Sequence, residues 1–99
     1  MAAKGYWIAR LDVSDPGRYR TYGEATRPLV AQHGGRFLVR GGQSETIAGA
    51  ARSRTIVIEF PDYETALRCY HSPEYREATR LREVSSTGDF VIVEGWDGP

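Results

Sequence analysis

The sequence has 99 residues, the usual size of one domain, and no low-complexity tract that would act as a linker, so we expect a single domain over residues 1–99. Thirteen basic and thirteen acidic side chains cancel, which argues against a nucleic-acid or anionic-membrane binder. The single cysteine, Cys69, excludes an intrachain disulfide, and residues 1–10 lack the apolar core of a signal peptide or membrane span. We therefore expect a cytoplasmic protein that binds neither nucleic acid nor membrane.

The first two elements are a strand and a helix. Residues 5–13 alternate, with one set of side chains on each side of an extended chain. The next segment offers Ser14 or Asp15 as an N-cap and Pro16 in the first turn, and its apolar residues recur at helical spacing until a glycine pair. Pro28 within this helix predicts a kink or a break into two pieces.

The middle of the sequence predicts two further strands. Residues 36–40 form a short β-rich run, and the following QSETIAG, residues 43–49, is interpreted as an edge or hairpin extension. Residues 54–60 are almost unbroken in their apolar and β-branched character, which is typical of a strand covered on both faces. This strand should be central.

The last third predicts a bent helix pair and a final strand. Asp62 is a candidate cap for the first piece, and Ser72 with Pro73 restarts the helical pattern toward Val84. After the turn-prone SSTGD, residues 90–95 form another apolar strand.

The order β-α-β-β-α-β predicts an α+β sandwich of ferredoxin-like topology, a four-stranded antiparallel sheet with its helices on one face. The other face is then bare, although strands such as residues 54–60 are apolar on both sides. Soluble monomers rarely expose so large an apolar patch. We expect a second copy of the sheet to cover it, giving a homodimer.

Five segments together carry a resemblance to a known family: KGYWIARLDVSDP at 4–16, GGRFLVRGG at 34–42, VIEFPDYETA at 57–66, SPEY at 72–75 and GDFVIVEG at 88–95. With these segments in this order, the sequence resembles the DUF1330 family, a branch of the dimeric α+β barrel superfamily. The resemblance implies the fold and a homodimer. The family brings no agreed reaction, so no catalytic residue is carried over; superfamily relatives include cofactor-independent oxygenases, haem-binding dismutases, cyclases, isomerases and simple binding domains.

Motifs for metals, nucleotides and nucleophilic catalysis are lacking. His33 and His71 form no metal-ligand spacing, and Gly41-Gly42 lacks the spacing of a phosphate-binding loop. Cys69 precedes His71 by two residues, which on a helix places them on different sides, so Cys69 is interpreted as a packing thiol. We expect no metal and no cofactor; haem bound through His33 or His71 is an alternative.

Polar residues at positions that the periodicity predicts to be covered form the candidate site. Arg40 would hold an anionic or enolic oxygen, and His33 or Glu59 would move a proton. The substrate-binding candidates are four aromatic residues and a helical arginine: Trp7, Tyr22, Tyr70, Tyr75 and Arg82.

A structural interpretation competes with this site. Arg10, Arg40 or Arg82 would pair with Glu59 or Glu94 inside the fold or across a dimer, since buried charges need partners. His33, at the predicted end of the first helix, would then be a helix cap.

Two functions follow as hypotheses. The first is a cofactor-independent small-molecule enzyme, of isomerase, cyclase, hydrolase or monooxygenase type, acting on an aromatic or enolisable ligand in a pocket between helices and sheet. The alternative is a non-catalytic ligand-binding or accessory homodimeric module.

Overall fold

The computed structural model describes residues 3–99. Its elements follow the predicted order, with the second helical region in two pieces. In chain order they are β1 (Gly5–Val13), α1 (Pro16–Gln32), β2 (Arg36–Arg40), β3 (Arg54–Phe60), α2 (Tyr63–Tyr70), α3 (Pro73–Ser85) and β4 (Ser86–Glu94).

The strands form one antiparallel sheet in the order β2-β3-β1-β4. Trp7 of β1 lies opposite Ile58 of β3, so both side chains point to the same face of the sheet. There they share a hydrophobic core with side chains from all three helices, including Tyr22, Ala66 and Tyr75. The helices therefore lie on one face, and the predicted ferredoxin-like α+β fold is confirmed.

Side-chain caps set the helix starts. Asp15 accepts a hydrogen bond from the Arg18 N–H at the start of α1, which settles the choice between Ser14 and Asp15. Asp62 caps α2 as predicted. The predicted break at Pro28 does not occur: α1 is one continuous helix, and it packs along α3 over its length. One missing N–H bond is tolerated where tertiary packing supports the helix.

Two boundary predictions are wrong. Residues 41–53 form a loop without strand, whereas residues 43–49 were expected to extend an edge. Side chains of β1 hold this loop instead, because Arg10 donates to the Ala50 carbonyl at 3.1 Å and Asp12 accepts from the Ser53 N–H at 2.9 Å. The predicted SSTGD turn is not formed: α3 ends at Ser85, and β4 begins directly at Ser86 and pairs with the end of β1.

The second face of the sheet carries no helix within residues 3–99. It presents alternate residues of each strand, including Ile8, Val57 and Glu59. Four aliphatic side chains on its strands are substantially exposed: Leu38 (46%), Val39 (39%), Val91 (51%) and Val93 (40%). The predicted bare apolar face is therefore present. None of the helices within residues 3–99 has the length and apolar character needed to span a membrane.

Candidate functional site

A cavity of about 390 Å³ lies between α1 and the sheet. It exists because α1 packs mainly against α3 and stands away from the strands beneath it. Its floor is the helix-facing side of β1 and β3, with Trp7, Leu11 and Ile58, and one wall is α1, with Tyr22 and Val30. The volume is in the range of small-molecule sites.

Aromatic rings close the end of the cavity around Trp7. The ring centroids of Trp7 and Tyr75 are 4.9 Å apart with an edge-on geometry, and Phe90 packs on Trp7 at 5.5 Å. The Trp7 indole donates to the Ala66 carbonyl at 2.9 Å, which holds the ring in place. Such an end offers a rigid, apolar surface to a ligand.

The charged side chains that line the cavity are all arginines: Arg20 and Arg27 from α1, Arg40 from β2 and Arg54 from β3. None of the lining residues is an aspartate, a glutamate or a histidine. The ion pairs found within residues 3–99 involve other arginines. The cavity wall therefore carries positive charge and no acidic side chain, which favours an anionic ligand.

Arg54 and Arg27 are half-buried, whereas Arg20 and Arg40 are exposed. The guanidinium carbon of Arg54 lies 5.5 Å from the centre of the Tyr19 ring, a cation–π contact. Its Nε is buried and has no hydrogen-bond partner among the described residues. A buried donor without an acceptor is costly, so this atom favours an acceptor from a ligand or water.

Gly41 makes room for this guanidinium. Its φ is +71°, and a Cβ at this position would lie 2.5 Å from Nη1 of Arg54. Any larger residue would therefore be strained and would push Arg54 from its position.

At the Trp7 end of the cavity, Tyr22 and Tyr75 belong to a group of polar aromatic side chains. The hydroxyls of Tyr22 and Tyr75 bond to each other, and Arg82 donates to the Tyr70 hydroxyl at 2.8 Å. Burial raises the pKa of Tyr22 and of Tyr75 above the ordinary 10.0, although the nearby Arg82 charge opposes the shift. Both hydroxyls therefore stay protonated at neutral pH.

The structure brings most of the sequence-predicted site residues to this region. Trp7, Tyr22, Tyr75 and Arg40 line the cavity. Tyr70 and Arg82 lie one layer behind it, in contact with each other.

The two predicted proton-transfer residues lie elsewhere. Glu59 is on the bare face, because its neighbours Ile58 and Phe60 point to the helices and strand side chains alternate. It accepts from the Tyr6 hydroxyl at 2.9 Å and from Arg36 at 3.1 Å. His33 ends α1, and its Nδ1 lies 2.9 Å from the Leu29 carbonyl, as in the cap interpretation. The predicted grouping of His33, Glu59 and Arg40 is therefore not formed within the chain.

The predicted structural ion pairs are not formed within the described chain, and pairing across a dimer stays a prediction. Glu59 pairs with Arg36, whereas Arg10 bonds to the loop and Arg82 to Tyr70. Arg54 is a lining residue that the sequence did not single out, although strand alternation places it on the same face as Ile56 and Ile58. The same holds for Arg20 and Arg27, which are seven residues apart and share one face of α1.

The described residues offer neither a metal-binding cluster nor a reactive thiol. Within residues 3–99 no three histidine, cysteine, aspartate or glutamate side chains cluster in a way that would hold a metal ion. Cys69 is fully buried, and burial raises the pKa of its thiol to about 12. Its environment is that of a packing residue.

The fold and the cavity define an α+β protein of ferredoxin-like topology with a pocket between its first helix and its sheet. The family model of DUF1330, described as a domain of unknown function, matches residues 4–96. The protein belongs to this family. No curated protein matches the sequence.

Solved structures with low sequence identity share the fold. A protein of unknown function from Rhodopseudomonas palustris is similar at 15% identity, over 99% of this chain and 86% of that one, with a TM-score of 0.79. The cofactor-independent oxygenase SnoaB from Streptomyces nogalater is similar at 15% identity, over 98% and 97%, with a TM-score of 0.64. A dimeric ferredoxin-like protein of unknown function from Thermobifida fusca is similar at 17% identity, over 96% and 92%, with a TM-score of 0.61.

Proposed function

We propose that this protein binds a small anionic molecule with an aromatic or otherwise apolar body in the cavity between α1 and the sheet. The observation that carries the proposal is the composition of the cavity wall, in which apolar and aromatic side chains are accompanied by four arginines and by no acidic group. Arginine charges that face a partly enclosed space are stabilised by an anion that also displaces water from the apolar wall.

The lining residues limit the chemistry that the cavity supports. The groups best suited to accept a proton at neutral pH, carboxylates and imidazoles, are not among them. The arginines instead lower the free energy of a bound anion, and they would lower the pKa of an enol or a phenol that binds there. The first function that this geometry supports is therefore ligand binding.

A second candidate function is cofactor-independent chemistry on an enolisable ligand, of the monooxygenase type. The cavity would stabilise the ligand's own anion, which is the electron-rich species that reacts. The shared fold with the cofactor-independent oxygenase from Streptomyces nogalater supports this candidate as an analogy.

The binding proposal is tested with a charged ligand and its neutral counterpart. We expect 4-isopropylbenzoate to bind the purified protein and 4-isopropylbenzamide to bind at least tenfold more weakly, measured by NMR titration. Arg54→Gln should weaken binding of the acid by about tenfold or more, since hydrogen bonds to charged groups contribute about 1.5–3 kcal/mol. Arg80→Gln is the matched control, because Arg80 is exposed on α3 and does not line the cavity.

Equal affinity for the acid and the amide, or equal effects of the two arginine substitutions, would overturn the proposal. The second candidate is tested separately by measuring oxygen uptake with a 1,3-diketone or a polyphenol as substrate. Uptake above the protein-free rate that Arg54→Gln abolishes would support it, and uptake that the variant leaves unchanged would contradict it.

We further propose that the protein works as a cytoplasmic homodimer whose two sheets pack face to face. The exposed aliphatic side chains of the bare face support this, since a second copy is the most economical cover for them. The similar protein from Thermobifida fusca is described as dimeric. A lone buried thiol fits a reducing compartment.

A further inference from the structure

The hydroxyl pair of Tyr22 and Tyr75 has one hydrogen more than its own bond uses. Each hydroxyl carries one hydrogen, and the bond between the two oxygens consumes one of them. The hydrogen bonds of these two oxygens within the described chain include no further acceptor, so one O–H has no protein acceptor. Both residues line the cavity, where a ligand could supply the acceptor.

Arg82 adds to this excess of donors. Its Nη2 donates to the Tyr70 hydroxyl, while its Nη1 is buried and has no partner among the described residues. A guanidinium has no acceptor to offer, so it does not satisfy the tyrosine hydrogen. Burial raises the Tyr22 pKa, and the bond to Tyr75 and the nearby Arg82 charge offset part of this rise.

This donor group lies at the end of the cavity away from Arg54. Arg54 is opposite Leu11 in the β1–β3 ladder, whereas the Tyr75 ring packs against Trp7. Leu11 and Trp7 are four residues apart on one strand, a distance of roughly 13 Å. The floor between them is formed by Ala9 and Ile56, which are apolar. The floor of the cavity is thus apolar between two polar ends.

We propose that the Tyr22–Tyr75 hydroxyl pair is a second binding subsite, which donates a hydrogen bond to a carbonyl-type oxygen of the ligand while Arg40 and Arg54 hold its carboxylate. The ligand class is then an apolar or aromatic acid with an acceptor oxygen at the far end, such as a keto acid. Arg82 is a positioning residue that acts through the tyrosines. This inference rests on the proposed function, since it takes the arginine end as the anion site.

Two ligands of matched shape test the subsite. In 4-acetylbenzoate a carbonyl oxygen takes the place of one of the two methyl groups of 4-isopropylbenzoate. The two acids therefore have similar shapes and differ mainly in the acceptor oxygen. The measured quantity is the ratio of their Kd values by NMR titration. We expect the double substitution Tyr22→Phe with Tyr75→Phe to shift this ratio by about fivefold against 4-acetylbenzoate, the effect of one hydrogen bond. The double variant removes both partners together, which leaves no orphaned hydroxyl in the fold.

Tyr6→Phe is the matched control, because it removes a tyrosine hydroxyl from the opposite face of the sheet and should leave the ratio unchanged. Arg82→Met should shift the ratio in the same direction as the double variant, and Arg82→Lys should restore part of it. A purely structural role of Arg82 would weaken both ligands equally and leave the ratio unmoved.

The outcomes separate this inference from the proposed function. If both acids bind with dependence on Arg54 but their ratio is the same in the wild type and the double variant, the subsite is wrong and the anion site stands. If neither acid binds, or Arg54→Gln has no effect, the proposed function itself fails. A shift of the ratio in the double variant supports the subsite, provided that the ratio measured for Tyr6→Phe equals that of the wild type.

Discussion

At the scale of single residues, the character of the cavity depends on how the Arg54 guanidinium is held. Gly41 is required next to it for two reasons, its positive φ and the space that a Cβ would take from Nη1 of Arg54. These two effects separate experimentally, because Gly49 also has a positive φ, +87°, but nothing within 4 Å of its Cβ position.

We expect Gly41→Ala and Gly49→Ala to lower the free energy of unfolding by similar amounts, about 1 kcal/mol each, through backbone strain. Only Gly41→Ala should also weaken binding of 4-isopropylbenzoate, because it displaces Arg54. Chemical denaturation and NMR titration of both variants check this. Unchanged affinity in Gly41→Ala would contradict the role given to Arg54.

The sequence predicted part of this site from periodicity alone. Strand alternation places Trp7 on the covered face, and helical spacing does the same for Tyr22 and Tyr75. The same alternation places Glu59 on the opposite face, so its suitability as a base does not bring it into the cavity. Arg54 stands at the first position of β3, where a charged side chain looks like a strand end rather than part of a cavity.

At the scale of elements, the junction between α2 and α3 positions the tyrosine subsite. Ser72 is the N-cap of α3: its side chain accepts from the Tyr75 N–H at 3.4 Å and donates to the Cys69 carbonyl at 2.8 Å. One serine therefore links the end of one helix to the start of the next. Tyr75 lies in the first turn of α3, so the cap also fixes the position of its side chain.

We expect Ser72→Ala to lower the free energy of unfolding by about 1 kcal/mol, the usual effect of losing such a cap. Ser72→Asp should have intermediate stability, because aspartate retains the N-cap bond from the Tyr75 N–H but has no hydrogen to donate to the Cys69 carbonyl. Denaturant unfolding of the three proteins measures this. Equal stability of the alanine and aspartate variants would show that the cap contributes nothing here.

The elements were more predictable from the sequence than their limits. Capping residues such as Asp62 and Ser72 mark a helix start within a few neighbouring residues of the sequence. Both pieces of the second helical region were therefore correctly predicted. The loop of residues 41–53 was not, because its shape depends on contacts with Arg10 and Asp12, about forty residues away in the sequence. The early start of β4 likewise depends on pairing with the distant β1.

At the scale of the whole molecule, the bare sheet face is the proposed dimer interface. Val91 is 51% exposed at this face, and Val84 is 56% exposed on α3. Val84 therefore serves as a control position of similar exposure outside the proposed interface. We expect Val91→Asp to convert the dimer to a monomer, since it would place a charge in an apolar interface. Val84→Asp should leave the dimer intact. Analytical ultracentrifugation distinguishes these results, and a wild-type monomer at high protein concentration would refute the face-to-face dimer.

The same face contains a polar group whose protonation should control stability in acid. The Tyr6 hydroxyl bonds to Glu59 and, together with Arg36, lowers the pKa of this carboxyl below its ordinary 4.5, although partial burial opposes the shift. Because the pKa is lower in the folded state, the ionised carboxylate stabilises the native protein when the pH is above the unfolded-state pKa. That contribution is lost as the pH falls through the folded-state value.

We therefore expect the melting temperature of the wild type to exceed that of Glu59→Gln at neutral pH, and the difference to shrink as the pH falls below about 4.5. Glu83→Gln, at an exposed position on α3, is the control and should show a smaller difference at neutral pH. A wild-type advantage that stays constant from pH 7 to pH 3 would rule out the ionised carboxylate as its source. In the face-to-face dimer the Tyr6–Glu59–Arg36 group would be shielded from solvent, so dissociation of the dimer should follow the same acid range.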